Sequence, residues 1–264
     1  MKNRWLVSDT HFGHAGVCRF THHDTGIKIR PWTDPDEMDE DMVRMWNEIV
    51  APNDRVYHLG DVVINRRCLP TLGRLNGKKV LIRGNHDKAC TGLDSLNEYS
   101  PAARMSALWT RDALNTQNRE YLQNLPQGPY PSEQIALVHG SPSDEDEYLV
   151  SISDVAVQRG ALTAQVTFFG HTHIQGGFLL GPSGTKRIPP IGTAFTEGDY
   201  YFLINPGSVG QPRDGDWRAA YALYSAVEHT VEFHRVAYDV DRAAAKIRAA
   251  GLPEFLAARL YEGR

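Results

Sequence analysis

Five short apolar runs punctuate the chain, and each stops at a polar residue able to bind a metal ion. Trp5-Leu6-Val7 meets Asp9-Thr10-His11, and Val56-Tyr57-His58-Leu59 meets Gly60-Asp61. Val80-Leu81-Ile82 precedes Gly84-Asn85-His86-Asp87, Ile135-Ala136-Leu137-Val138 precedes His139-Gly140, and Val166-Thr167-Phe168-Phe169 precedes Gly170-His171-Thr172-His173. Runs this short and this apolar predict buried strands, and strands that all finish in Asp, Asn or His predict one polar site along a sheet edge. Between the first strands, Asp34-Pro35-Asp36-Glu37 supplies an N-cap, a first-turn proline and acidic residues for a helix dipole. Met38, Met42, Met45, Trp46 and Ile49 follow at helical spacing and are expected in the core. Strand, helix, strand, helix, strand up to Ile82 is a βαβ pattern and predicts parallel pairing.

A second helix is expected from about 115 to 125. After Ala164 the rhythm changes to strands with short turns: Tyr200–Ile204, Ala220–Tyr224 and Val231–Val236, with turn residues at Pro206-Gly207 and Asp214-Gly215-Asp216. Two packed sheets with helices outside follow. Asp241–Ala250 and Leu252–Leu260 are expected as closing helices.

Residue types indicate what the site holds. Carboxylate, amide oxygen and imidazole together suit first-row divalent metals, whereas a structural zinc site would usually carry thiolates. Asp9, His11, Asp61, Asn85, His139, His171 and His173 exceed the needs of one tetrahedral ion and suit two ions sharing a bridging carboxylate. Two such ions about 3.5–4 Å apart form a clamp for in-line attack at phosphorus. Extended backbone sends residues i and i+2 the same way, so Asp9 with His11, and His171 with His173, are each expected to converge.

In their order, Asp9-x-His11, Gly60-Asp61, Gly84-Asn85-His86-Asp87, His139 and Gly170-His171-x-His173 resemble the signature of the calcineurin-like metallophosphoesterases. Asn205–Arg213, followed by Arg218–Ala222, resembles the C-terminal strand-turn-strand of small bacterial members. The resemblance spans Trp5 to about Gly251. It implies an α/β fold, an αββα sandwich of two mixed sheets packed face to face, with the metal site at the strand C-terminal ends. It also implies that Asp9, His11, Asp61 and His173 hold one ion, and that Asp61, Asn85, His139 and His171 hold the other. His86 is then the general acid for the leaving oxygen, and Asp87 the carboxylate that orients its ring. A leaving alkoxide needs a proton, and histidine's pKa suits that task. Protein serine/threonine phosphatases extend the Gly-Asp motif with Asp and Arg, but this chain has Ile64 and Asn65 there, which disfavours that substrate class. Loss of the catalytic histidine or of ligands would mark a scaffold, and here all are retained.

Composition changes this picture little. The 264 residues are 41% hydrophobic and 23% charged, which fits a single domain over 1–264 with a sizeable core. A net charge of −4 provides no dedicated nucleic-acid surface. Three scattered cysteines exclude a complete disulfide framework, and no apolar run reaches membrane-spanning length, so a cytoplasmic enzyme is expected. Residues 13–35 and 176–198 are expected as loop insertions near the site, the second as a hairpin arm or lid. His14 and Arg213 are the candidate substrate contacts, and Asp144-Glu145-Asp146-Glu147 is expected as a solvated acidic face or helix start. His58 is expected as a packed imidazole or one that braces a ligand.

The sequence therefore describes a hydrolase of small phosphate esters or nucleotide-like substrates, acting through a metal-bridging hydroxide. Two manganese ions are expected, with iron or zinc as alternatives. Phosphodiester hydrolysis of cyclic nucleotides or dinucleoside polyphosphates is the alternative activity. No residue pattern fixes an oligomeric state.

Overall fold

The computed structural model describes residues 4–10, 35–62, 68–97, 99, 104, 107–108, 110–112, 114–196, 198–237 and 261–263. The first half contributes β1 (Arg4–Val7), α1 (Pro35–Ile49), β2 (Arg55–His58), α2 (Cys68–Arg74), β3 (Lys78–Leu81), α3 (Asn85–Thr91) and α4 (Thr116–Gln123). The second half adds β4 (Tyr130–Ser132), β5 (Ile135–Leu137), α5 (Ile152–Ala156), β6 (Val166–Phe168), β7 (Gly176–Gly181), β8 (Gly184–Ile188), β9 (Thr193–Phe195), β10 (Tyr201–Asn205), β11 (Ala219–Ser225) and β12 (Thr230–Val236).

These strands form two mixed sheets, ordered β3-β2-β1-β11-β12-β9 and β4-β5-β6-β10-β7-β8. β1, β2 and β3 are mutually parallel, as are β5, β6 and β10. All five ligand-bearing strands therefore run to the same end of their own sheets, where parallel α/β sheets present their sites.

The strands alternate between two buried faces, which is why they read as unbroken apolar runs. Leu6, Tyr57, Leu137, Phe168, Phe202, Ile204, Ala222 and Val231 come from both sheets and form the layer between them. Trp5, Val7 and Val56 turn the other way, against Val43, Trp46 and Val50 of the α1 region and Leu72, Leu75, Leu122 and Leu125. Val138, Phe169, Phe178 and Leu203 pack with Leu149 and Val155 on the far side of the second sheet. This is the expected sandwich.

Two expectations change. Of the predicted α1 stripe, Trp46 is buried and Met42 packs against the core, but Val43 and, just past the helix end, Val50 complete the buried face, and Ile49 is 46% exposed. The Trp46 indole N–H donates to the Asn76 carbonyl at 3.1 Å, which sets the rotation of the helix. Residues 176–198 do hold a hairpin, β7–β8, but it is built into the second sheet through β10 rather than standing as a loop insertion, and β9 then pairs with β12 in the first. Their glycines and prolines mark strand ends rather than a free arm. The predicted helix at 115–125 is present as α4, capped by the Asn115 side chain, which accepts the Asn118 N–H. Residues 13–34, Ile64, Asn65 and the expected closing helices at 241–260 lie outside the described residues. Among the described residues no helix is long and apolar enough to cross a membrane.

His58, at the end of β2, is a buried brace. Thr10 donates its hydroxyl proton to the Val62 carbonyl at 3.0 Å and so accepts from His58 Nε2–H at 2.9 Å. Burial pushes the His58 pKa down to about 4, although Asp9 and Asp61 favour its charge. A folded-state pKa below the unfolded value of about 6.5 contributes stability that is present above pH 6.5 and is lost as pH falls towards 4. His58→Gln should therefore flatten the fall in the urea midpoint of metal-free protein over that window. The contribution is on the order of 3 kcal/mol. Parallel curves for the two proteins would remove His58 from the account.

Candidate metal centre

Asp9 and Asp61 are buried carboxylates, and one ligand atom from each lies within 4.8 Å of the other and of a ring nitrogen of buried His139. His139 Nε2 is 3.6 Å from Asp61 Oδ2 and 3.0 Å from Asn85 Oδ1, and His173 Nε2 is 3.3 Å from Asp9 Oδ1. The His171 ring lies 4.9 Å from that of His139, centroid to centroid. Six of the seven predicted ligands thus gather at one place. His11 and the candidate contact His14 lie outside the described residues.

Backbone carbonyls fix the tautomer of each imidazole, because a carbonyl only accepts. His139 Nδ1–H donates to the Leu59 carbonyl at 2.7 Å, and His173 Nδ1–H to the Gln211 carbonyl at 2.6 Å, leaving Nε2 of each ring facing the site. His171 is reversed: its Nε2–H donates to the Asp146 carbonyl at 3.1 Å, so Nδ1 is its ligand atom. The result is a set of acceptors converging on one another, namely imidazole lone pairs, an amide oxygen and two carboxylates. Such a set repels itself unless cationic charge lies within it, so the residues fit divalent metal ions.

Charge repulsion and burial also shape the titration of this cluster. Burial alone disfavours charge on His139, yet Asp61, Asp9 and the Leu59 carbonyl raise its pKa above the usual value. Burial and the neighbouring His139 push His171 down to about 4.

The ligands do not converge by strand alternation. Asp9, Asp61, His171 and His173 have φ of 52°, 53°, 64° and 59°, in the left-handed region that non-glycine residues seldom occupy. Surrounding bonds hold them there. The Asp9 N–H donates to the Gly60 carbonyl, while the Asp9 carbonyl accepts from the Gly210 N–H and the Ser208 hydroxyl. The Asn205 amide donates to the Gly170 carbonyl and to Thr172 Oγ1, both at 2.9 Å, and pins the His171–His173 turn.

Asp87 is buried beside the turn that carries Asp61. Its carboxylate accepts the backbone N–H groups of Asp61 at 2.8 Å, Gly84 at 2.9 Å and Val62 at 3.2 Å. These bonds brace the turn that carries Asp61. Asp61 in turn accepts the His86 N–H at 2.9 Å, placing the central carboxylate at the start of α3. His86 is half-buried, with its ring edge-on to Tyr99 at 6.4 Å, and the Tyr99 hydroxyl donates to the Asn85 carbonyl. Arg213 is exposed and donates to Gln211 Oε1, while its backbone N–H donates to the His173 carbonyl.

The acidic run 144–147 is solvated only in part: Asp144 and Asp146 are exposed, while Glu145 and Glu147 are half-buried. Glu145 pairs with Arg83 and Lys88, Glu147 accepts from Gln158, and Asp146 orients His171 through its carbonyl. Tyr148 lays its ring 3.9 Å from that of His171. Carbonyl contacts of this kind leave no mark in a sequence, and neither Tyr99 nor Tyr148 lies in a motif.

Fold and site together define a phosphoesterase scaffold. The chain belongs to the calcineurin-like phosphoesterase superfamily, whose domain it matches over residues 4–229. It is 32% identical over 220 residues to the uncharacterised protein MJ0912 of Methanocaldococcus jannaschii, covering 80% of this chain and 87% of the relative. It superposes on a crystal structure of a metallophosphoesterase from Sphaerobacter thermophilus with a TM-score of 0.70 at 30% identity, over 100% and 99% of the two chains. Hypothetical protein PH1004 of Pyrococcus horikoshii OT3 shares the fold at a TM-score of 0.63 and 19% identity, over 100% of this chain and 99% of that one.

Two outcomes follow for metal binding. Gly84 has φ of −104°, open to any residue, but a Cβ there would overlap the backbone nitrogen and carboxylate of Asp61. Gly84→Ala should cost about 1–3 kcal/mol of stability by overpacking and lower the bound metal per chain. Full metal content in a folded variant would show that Asp61 tolerates the shift. Proton and metal compete for His139, so affinity should rise with pH up to its raised pKa and level off above it, with proton release on binding. Calorimetric titrations in buffers of different ionisation enthalpy measure that release, and heats that do not depend on the buffer would contradict it.

Proposed function

We propose that this protein hydrolyses small phosphate esters or nucleotide-like phosphoesters with two divalent metal ions. Asp9, His11, Asp61 and His173 would hold one ion, and Asp61, Asn85, His139 and His171 the other. The observation that carries the proposal is the buried acceptor cluster of Asp9, Asp61, Asn85 and His139, with its imidazole tautomers set by carbonyls. Ions bound there polarise phosphoryl oxygens and lower the pKa of water at the site. Manganese is the metal to test first, ahead of iron or zinc. The donors are oxygen and nitrogen, and burial pushes the Cys90 thiol up to about 12, far from thiolate chemistry.

The chain's own residues supply the proton for the leaving oxygen. His86 stands on the first turn of α3, one residue from Asn85, and its backbone N–H donates to Asp61. It donates a proton as the ester oxygen departs. Burial raises the Tyr99 pKa, so its hydroxyl stays protonated and keeps donating to the Asn85 carbonyl behind that turn. The net charge of −4 supports a small-molecule substrate in the cytoplasm over a nucleic-acid polymer.

The test is hydrolysis of a chromogenic phosphodiester and its matching monoester by manganese-loaded protein, with a chelator control. His86→Ala should lower kcat about 10²–10⁴-fold while metal content stays unchanged, and the loss should deepen for poorer leaving groups. An equal loss for good and poor leaving groups would remove the proton-donor role. Turnover that survives the chelator would sink the metal assignment.

A further inference from the structure

Asn85 comes from one sheet and His139 and His171 from the other, and no strand pairing sets the distance across that divide. Asn85 follows β3 in the first sheet, whereas His139 and His171 follow β5 and β6 in the second. A compact ion-pair cluster bridges that gap. Lys88, one turn after Asn85 on α3, reaches Asp146 Oδ2, Glu145 Oε1 at 3.2 Å and Asp94 Oδ2 at 3.6 Å. Arg83 holds the same Glu145 at 3.1 Å. The Lys88, Arg83 and Glu145 side chains are 13%, 14% and 9% exposed, so charge is being held largely out of water, at a cost in desolvation.

The other end of the cluster is the loop that orients His171. Asp146 offers its carbonyl to His171 Nε2–H and its carboxylate to Lys88, and Tyr148 covers the same imidazole. The loop is also seated against the residue after His139: the Ser141 N–H donates to the Asp144 carbonyl, and a Cβ on Gly140 would lie 2.6 Å from the Glu145 carbonyl oxygen. One loop therefore touches the segments carrying His139 and His171, and one lysine ties it to the helix carrying Asn85 and His86.

We propose that Lys88 is a positioning residue for the metal centre: through Asp146 and Glu145 it locks α3 to the loop that fixes the His171 tautomer. This rests on the metal-site assignment above. The effect is geometric rather than electrostatic, and the two differ in sign. Removing a nearby cation by charge alone would tighten a dication site, and removing a nearby anion would loosen it. Loss of a positioning bond loosens the site in both cases.

Lys88→Met and Asp146→Asn, singly and together, separate the two. Asp146→Asn keeps the carbonyl that His171 uses. Chelator competition with Mn²⁺ should show each single variant binding one of its ions about 10-fold more weakly, with the double variant close to the worse single one. With the chromogenic diester, kcat should fall more than KM rises. In metal-free protein, ¹⁵N shifts should report the Nε2–H tautomer of His171 in the parent chain and a mixture in either variant. Opposite signs of the affinity change, additive losses, or a lowered Tm with affinity and His171 shifts untouched would each overturn the proposal. The metal and ¹⁵N measurements use no substrate, so an inactive parent chain would sink the phosphoesterase reading and leave the clamp standing. A parent chain that binds no divalent ion would sink the metal assignment, and the His171 shifts would then decide the clamp.

Discussion

Everything in this molecule answers to one constraint: a group of acceptors that repel one another is held together inside the protein. Asp9, Asp61, Asn85 and His139 turn carboxylate oxygens, an amide oxygen and an imidazole lone pair towards a common point. Cationic charge relieves that repulsion, and the fold is arranged to keep the donors in place with or without it. In the metal-free chain the strain shows in the raised pKa of His139. It shows again in left-handed backbone at four of the ligands.

The surrounding structure holds this strained set with neutral backbone groups more than with charge. Carbonyls of Leu59, Asp146 and Gln211 each take one imidazole N–H, and in doing so select which nitrogen faces the site. Asp87 gathers the N–H groups of the turn around Asp61, and Asn205 gathers the oxygens of the turn around His171 and His173. A carbonyl partner adds no net charge that would compete with a cation, yet it fixes ring orientation. Glycine at 84 serves the same end by leaving space, since Asp61 occupies the volume a side chain would need.

Two sheets share the work of presenting the ligands. Asp9, Asp61 and Asn85 follow strands of the first, and His139, His171 and His173 follow strands of the second. Their relative placement comes from the apolar layer between the sheets, from the Leu59 carbonyl reaching His139, and from the Lys88 cluster. Packed interiors resist small displacements, and a cluster of acceptors that spans two sheets needs that resistance.

The order of apolar runs and the polar residues ending them were enough to place the strands, their parallel grouping and six ligands that the fold brings together. Short buried strands and ligand-bearing turns are encoded locally, so they can be read locally. Other features depend on partners distant in the chain. The rotation of α1 turns on an indole bonded to Asn76, and the segment 176–198 becomes strand because β10 and β12 offer it edges. Within the acidic run, the Glu145 side chain is drawn out of solvent because Arg83 and Lys88 meet it. Asp87 serves a turn 26 residues earlier in the chain, and Tyr148 and the Asp146 carbonyl reach His171 from a loop with no motif. Sequence alone determined which chemical groups this protein gathers. Tertiary structure decided how they are aimed, because backbone carbonyls and left-handed turns are available to any sequence and acquire their role only from what packs beside them.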